Sequence, residues 1–455
     1  MRLSSALALV ADGGARRLLP INHCRYSIIG IVGIGWITHW RLYIERWRGS
    51  RSNGPGKQSL SSFCHESWAE VIVQKPAKLL ALGDISLHGF THNQFEQSAE
   101  YAALVQRLES YDGLTLANLE CALTRSENLN LAKIALHADP ALSRELPRID
   151  LFSLANNHIF DVWEEGVEDT IEALNQQKIS HFGYGRDLME ARKPALIEEN
   201  GIRLGFLAYS CLSTNGENYA TSVKPGVCPL AIEYLETDIP RLKKEVDHVI
   251  VVLHWGEERV HYPTPDQIAV AHRAIDLGAS AIVGMHPHVI QGIERYKDGF
   301  ICYSLGNFIM SDLEYEVLRE GKRTQGVVIQ HNANKESLGV EFAFEKNRVS
   351  LNAVTAYKLD KHFLPNEIPL DRLRPNLSKL NAKLEAYVKE HTDYLRTIKG
   401  PQLVKRFSYG KYGYHYLLKP INGYQTSVSS RALLEDVLSK TLRDLKGVFL
   451  GPRRK

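Results

Sequence analysis

Residues 248–258 read HVIVVLHWGEE, residues 265–278 read PDQIAVAHRAIDLG, and residues 281–288 read AIVGMHPH. The first and third are unbroken apolar runs that stop on a histidine, and runs of this kind suit strands covered on both faces. The middle segment carries Ile268, Ala271, Ile275 and Ala279 at i, i+3, i+7 and i+11, which makes one helical face. Strand, helix, strand in that order predicts a parallel pair inside an α/β domain.

The same texture extends both ways. Apolar runs recur as KLLALGDIS (78–86), LTLANLE (114–120), LFSLANNH (151–158), RLGFLAYS (203–210) and FICYSLGNF (300–308). FEQSAEYAALVQRL (95–108) and EEGVEDTIEALNQQ (164–177) have helical spacing between them. Asp84, Glu120, Asn157, His158, His254, His286 and His288 all fall at or just past the C-terminal ends of the runs. In open α/β sheets that edge binds ligands. One histidine among 18 would mean little, and one Asp after a strand is often a helix cap; recurrence along one edge points to a shared site. Carboxylates mixed with imidazoles suit Mn, Fe, Zn or a similar divalent ion, whereas a structural zinc would call for thiolates. Such ions polarise a phosphoryl oxygen and make hydroxide available near neutral pH, so the pattern points to metal-assisted hydrolysis or a binding site descended from it.

The chain has 455 residues, 44% hydrophobic and 24% charged, ordinary for a folded protein of roughly two to three domains. A formal net charge of +3 is too mild to argue for nucleic acid, and no specific nucleic-acid partner is expected. Cys24, Cys64, Cys121, Cys211, Cys228 and Cys302 lie far apart with no C-x-x-C pair, which reads as buried thiols. Near the N-terminus an apolar segment, Ile28 to Thr38, is flanked by arginines. A spanning helix needs roughly 20 apolar residues and this one is shorter, with glycines that weaken a helix. The expectation is a cytoplasmic protein, either membrane-associated through this segment or carrying a loose lead-in continued by the linker GSRSNGPGKQSLSS (49–62). Beyond about residue 360, PLDRLRPNLSKLNAKLEAYVKEHTDYLRTI (369–398) has charged helical texture and precedes the aromatic RFSYGKYGYHYLL (406–418). From Arg396 onward thirteen Lys or Arg face three Asp or Glu, which suits an acidic polymer, an anionic surface or simply a solvated helical face.

Six motifs in order, GDISLHG (83–89), NLECALT (118–124), LANNHIFDVWEEG (154–166), HWGEE (254–258), GMHPHVIQGIE (284–294) and YSLGNF (303–308), resemble the CapA family of capsule and poly-γ-glutamate biosynthesis proteins. That family is similar to the calcineurin-like metallophosphoesterases. The later runs GVVIQHN, LGVEFAFE and VSLNAVTAYKL resemble the end of the same domain. The resemblance implies a four-layer α/β/β/α sandwich over residues 77–360, between an N-terminal lead (1–76) and a mostly helical, basic extension (361–455). It also implies a ligand set: Asp84 and His288 on a first divalent ion, Glu120 bridging, and Asn157, His254 and His286 on a second. His158 would stabilise developing charge or protonate the leaving oxygen.

The motifs depart from phosphoesterases in three places. Asp84 is followed by Ile85 and Ser86 where D-x-H is usual, so the first ion lacks an imidazole unless His88 swings in. Glu120 stands where an Asp is usual, and the third motif reads N-N-H. One ion or two therefore stays open. Asp161 and Gly166 either serve His158 and substrate or form the turn into the next helix. Glu258 and Glu294 either orient ligand imidazoles or lie at the surface. Arg186, in the loop HFGYGRD (181–187), is a candidate to face an anion, while Trp255 and Phe308 read as core aromatics. The expected function is a metal-dependent phosphoesterase-type hydrolase of capsule polysaccharide or poly-γ-glutamate production, acting on an anionic or phosphorylated polymer precursor. The alternative is a non-catalytic metal-binding component of a membrane polymer synthesis or export complex.

Overall fold

The computed structural model describes residues 75–392 except 215–217 and 320, and the backbone of three strands nearer the N-terminus. Two compact units divide at Lys75. In the first, Tyr26–Gly33, His39–Arg46 and Ala69–Ile72 form a three-stranded antiparallel sheet. The apolar segment expected from Ile28 thus begins as a strand, and among the described residues no helix is long and apolar enough to cross a membrane.

The second unit opens with β1 (Ala77–Ile85), α1 (Ala99–Glu109), β2 (Leu114–Leu119), β3 (Leu151–Ser153), α2 (Trp163–Gln176) and β4 (Ser180–Phe182). β1, β2, β3 and β4 pair in parallel in that order. A second sheet follows from β5 (Ala195–Glu199), β6 (Ile202–Ser210), α3 (Ile232–Leu242), β7 (His248–His254), α4 (Pro265–Asp276), β8 (Ala279–Met285), β9 (Ile293–Tyr296) and β10 (Gly299–Cys302). Its order is β5-β6-β7-β8-β10-β9, parallel in the middle with an antiparallel strand at each edge. The chain then returns to the first sheet. β11 (Asn307–Ile309) joins beside β1, and after the hairpin β12 (Leu313–Arg319) and β13 (Lys322–Val328) the strands β14 (Glu336–Glu345), β15 (Arg348–Leu359) and β16 (Pro365–Ile368) extend that sheet. α5 (Leu377–Glu390) closes the described chain.

Burial explains the layering. Leu79, Ala81 and Leu116 pack with Leu204, Phe206, Ile250, Val252 and Val283, so the two sheets meet face to face. The outer face of the first sheet buries Leu82, Leu119 and Phe152 under Tyr101, Leu104, Val167 and Leu174 of α1 and α2. The outer face of the second buries Val249, Val251 and Ile282 under Leu235, Ile239, Ile268 and Ile275, with Leu384 and Tyr387 of α5. The result is the α/β/β/α sandwich, each buried aliphatic side chain contributing about 1.5–3 kcal/mol. Strands covered on both faces are the reason the runs were continuous rather than alternating.

Three local readings change. Ala279 belongs to β8, not to the α4 face, because Thr264 caps the helix at one end and the chain leaves it at Leu277. FEQSAEYAALVQRL is broken at Ser98, whose hydroxyl accepts from the Tyr101 N–H and starts α1 afresh. FICYSLGNF is split between the two sheets, with Gly306 at φ +74 between the pieces. Of the expected C-terminal extension, β16 and α5 are described; residues beyond 392, with the aromatic and basic stretch, lie outside the described residues.

A candidate metal centre between the sheets

The strand ends of both sheets converge. Asp84 sits near the end of β1, in register with Asn118 on one side and Asn307 on the other. That close approach needs glycine, since a Cβ on Gly83 would lie 1.9 Å from the Gly306 carbonyl oxygen. Glu120 follows β2 and is tied down by its N–H, which donates to the Ile85 carbonyl at 2.7 Å. His254 ends β7, while His286 and His288 follow β8 with φ of +94 and +57, flanking Pro287. Such backbone costs of order 1–3 kcal/mol per residue in non-glycine positions and clusters at functional sites.

The donors form overlapping groups. Asp84, Glu120 and His288 offer ligand atoms all within 4.8 Å of one another, as do Glu120, His254 and His286. Glu120 belongs to both: its Oε1 lies 3.4 Å from His254 Nε2 and 3.7 Å from His288 Nε2. Asn157 Oδ1 is 2.7 Å from His254 Nε2. Asn118 donates to Asp84 Oδ1 at 2.8 Å, and the His286 N–H donates to Asp84 Oδ2 at 3.1 Å.

Glu120 is fully buried, and neither carboxylate oxygen has a hydrogen-bond partner; Nδ1 of His286 is likewise buried without one. Burying polar atoms so is costly, and an ionised carboxylate costs several kcal/mol unless a partner is supplied. A cation satisfies both oxygens and the ring nitrogen at once, so these residues fit a metal ion. Electrostatics agree. Burial pushes the Glu120 carboxyl well above its ordinary range, and the Asp84 charge adds to this. Burial pushes His254 down to about 3 against the pull of Asp84, and pushes His286 well below the usual imidazole range, helped by His254 and His288. Neutral imidazoles with free lone pairs are what a cation requires. His288 goes the other way: burial opposes protonation, but the Glu120, Asp84 and Glu258 carboxylates prevail and hold it at about 9.

His158 donates from Nδ1 to Asp161 Oδ2 at 2.6 Å, and the Leu136 N–H donates to the same oxygen at 2.6 Å. Lys133 Nζ pairs with the other Asp161 oxygen and also donates to the Asn157 carbonyl. Asp161, His158 and the backbone of Asn157 are thus one unit. Burial lowers the His158 pKa, against Asp161 and with Lys133.

Other candidates are distributed differently. The Glu258 carboxylate lies with the His286 and His288 donors. Glu294 accepts instead from Tyr303 Oη at 2.7 Å and meets His272 Nε2 at 2.9 Å, away from the ligand imidazoles. Arg186 pairs at the surface with Glu190 at 2.8 Å. His88 does not swing in, since its two ring nitrogens face the carbonyls of His137 and Glu314 at 3.0 and 2.9 Å. Gly166 packs the start of α2, where a Cβ would meet Val162 Cβ at 2.7 Å. Trp255 and Phe308 are core side chains, and Cys121, Cys211, Cys228 and Cys302 are buried and free. Sequence reading missed Asn118, Asn307 and Lys133. The two asparagines lie inside quoted motifs, two residues before Glu120 and next to Phe308, whereas nothing around Lys133 marks it.

Two sheets packed between helical layers, with carboxylates, imidazoles and an amide converging at strand ends of both, define a four-layer α/β/β/α sandwich with a candidate metal centre at its strand-end edge. The chain belongs to the family described as bacterial capsule synthesis protein PGA_cap, whose model matches residues 78–312. It is 32% identical over 213 residues to the capsule biosynthesis protein CapA of Bacillus anthracis, covering 44% of this chain and 52% of that one. It is 28% identical to the PGA biosynthesis protein CapA of Bacillus subtilis (strain 168), covering 62% and 74% respectively. The chain therefore spans about half the length of the first relative and about three quarters of the second. Among solved structures, a putative 5'-nucleotidase from Staphylococcus aureus in complex with alpha-ketoglutarate aligns with TM-score 0.40 at 13% identity, covering 69% of this chain and 59% of that chain.

Proposed function

We propose that this chain is a metal-dependent phosphoesterase-type hydrolase, acting on an anionic or phosphorylated precursor in capsule polysaccharide or poly-γ-glutamate production. The observation that carries the reading is Glu120: both oxygens are buried without partners, and the residue belongs to two donor groups at once. Asp84, Glu120 and His288 would hold one divalent ion, and Glu120, Asn157, His254 and His286 a second, with Mn, Fe or Zn suited to these donors. A bound ion of this type polarises a phosphoryl oxygen and lowers the pKa of water. The protein's own contribution is the proton. Asp161 holds the Nδ1–H of His158, so Nε2 can take up a proton from solvent and pass it to the departing oxygen, while Lys133 keeps that carboxylate in place. Turnover of a panel of phosphoesters with added Mn or Zn tests the reading. The expected result is hydrolysis that falls at least about 100-fold in His158→Ala with metal content unchanged; equal turnover in the variant removes His158 from the reaction.

A second reading has its own support. With His88 held by two backbone carbonyls, the group of Asp84, Glu120 and His288 has no second imidazole. That favours a single ion in a non-catalytic component of a membrane polymer synthesis or export complex. One equivalent of metal, no turnover on any ester and co-purification with a membrane synthase would support it over the first.

A further inference from the structure

We infer that Glu258 is a direct metal ligand, closing the centre from its solvent side together with His286 and His288. The inference rests on the metal-binding reading above and goes beyond it by adding a donor from a different loop. Three observations carry it. A Glu258 carboxylate oxygen and one ring nitrogen from each of His286 and His288 all lie within 4.8 Å of one another, so the carboxylate borders a histidine from each of the two donor groups and a small side-chain movement brings it onto an ion held there. The loop bearing Glu258 is fastened to the histidine loop, because the Arg259 N–H donates to the Pro287 carbonyl at 2.7 Å, between the two imidazoles. Gly256 at φ +91 and Arg259 at φ +63 give the loop the turn that brings it there, and a Cβ on Gly256 would lie 2.6 Å from Gln267 Nε2.

Glu258 makes no hydrogen bond or ion pair to another described residue outside this group. Its negative charge acts on Glu120, His254 and His288. A carboxylate with no other described residue to bind, grouped with one ring nitrogen each of His286 and His288, has the chemistry and the position of a ligand. Because Glu258 is exposed where Asp84 and Glu120 are buried, it is the ligand that can yield its place to an incoming anionic group without opening the core.

The test is a cobalt(II) titration of the full chain, read by visible absorption, with bound metal measured by elemental analysis. Compared with the unaltered protein, Glu258→Gln is expected to weaken the affected ion by 10-fold or more and to shift its absorption bands, while Glu258→Asp restores part of both. Glu257→Gln, which removes a neighbouring charge, is expected to leave both unchanged. Bands and affinity unchanged in Glu258→Gln overturn the inference, and so does weaker affinity with unchanged bands, since that makes Glu258 a distant charge. Glu120→Gln separates the two levels. If it loses cobalt and Glu258→Gln does not, only Glu258 fails; if the unaltered protein takes up no cobalt, the metal centre and Glu258 fail together.

Discussion

Asn307 Oδ1 accepts from Nδ1 of His288 at 2.9 Å, and the same amide donates from Nδ2 to the Asn334 carbonyl at 3.0 Å. The second bond fixes which way the amide faces. It leaves His288 with Nδ1 protonated and Nε2 turned toward Glu120. Partners that fix a ligand tautomer typically matter 10–100-fold for metal affinity. Asn307→Ala is therefore expected to weaken metal binding by roughly that factor, with the far-ultraviolet circular dichroism spectrum preserved. Unchanged affinity would remove Asn307 from the centre.

Lys133 meets both Asp161 and the Asn157 carbonyl. Lys133→Met leaves one oxygen of a fully buried carboxylate without its cation, at a cost of about 1–3 kcal/mol. Denaturant unfolding measures that loss. Turnover, where present, is expected to fall by more than metal affinity does, because His158 loses its anchor while the ligand side chains stay.

Protons and metal compete at His288. Its imidazole is held at about 9, and a ligand must be deprotonated to bind. Metal uptake at pH 7.5 is expected to release about one proton or more per chain, read by calorimetry in two buffers of different ionisation enthalpy. Affinity should rise as the pH climbs toward 9. The metal-free protein should behave oppositely. A raised imidazole pKa stabilises fully below its unfolded value near 6.5, and that stabilisation is lost as the pH rises through 9.

Asp247 makes an acid-sensitive clamp at the far end of the strands. Despite burial, which opposes it, the Arg203 N–H at 2.9 Å and the Lys346 ammonium at 2.9 Å hold its carboxyl at about 2. A depressed carboxylate stabilises above its unfolded value near 3.8 and loses that stability as the pH falls toward 2. The contribution is at most about 2 kcal/mol, discounted because Lys346 and Arg203 are half exposed. Asp247→Asn should unfold more easily in urea at pH 7 than the unaltered chain, and the difference should vanish near pH 2.

Much of the centre was legible in the linear order of residues. Each apolar run ends near the end of backbone pairing, so a polar residue at or just past that end is delivered to one edge; Asp84 and His254 sit among the last paired positions, and Glu120, His286 and His288 follow theirs. Lys133 was not legible, because it reaches Asp161 from an irregular loop with no period of its own. For Glu294 and Arg186 the sequence left two roles open for a related reason. Closeness in sequence to a ligand or a glycine loop does not say which way a side chain points, and they turned to Tyr303 and to Glu190.

By itself, the sequence determined the α/β texture, the strand ends and the kind of donor found there, since these depend on periodicity and residue chemistry over a few neighbours. Only the tertiary structure decided that the apolar runs divide between two sheets, that FICYSLGNF crosses from one to the other, and that Glu120 ends buried between two groups of donors. Those outcomes depend on which buried faces meet. That is a matter of packing between residues some two hundred positions apart, such as Asp84 and the His286 N–H, and no local pattern encodes it.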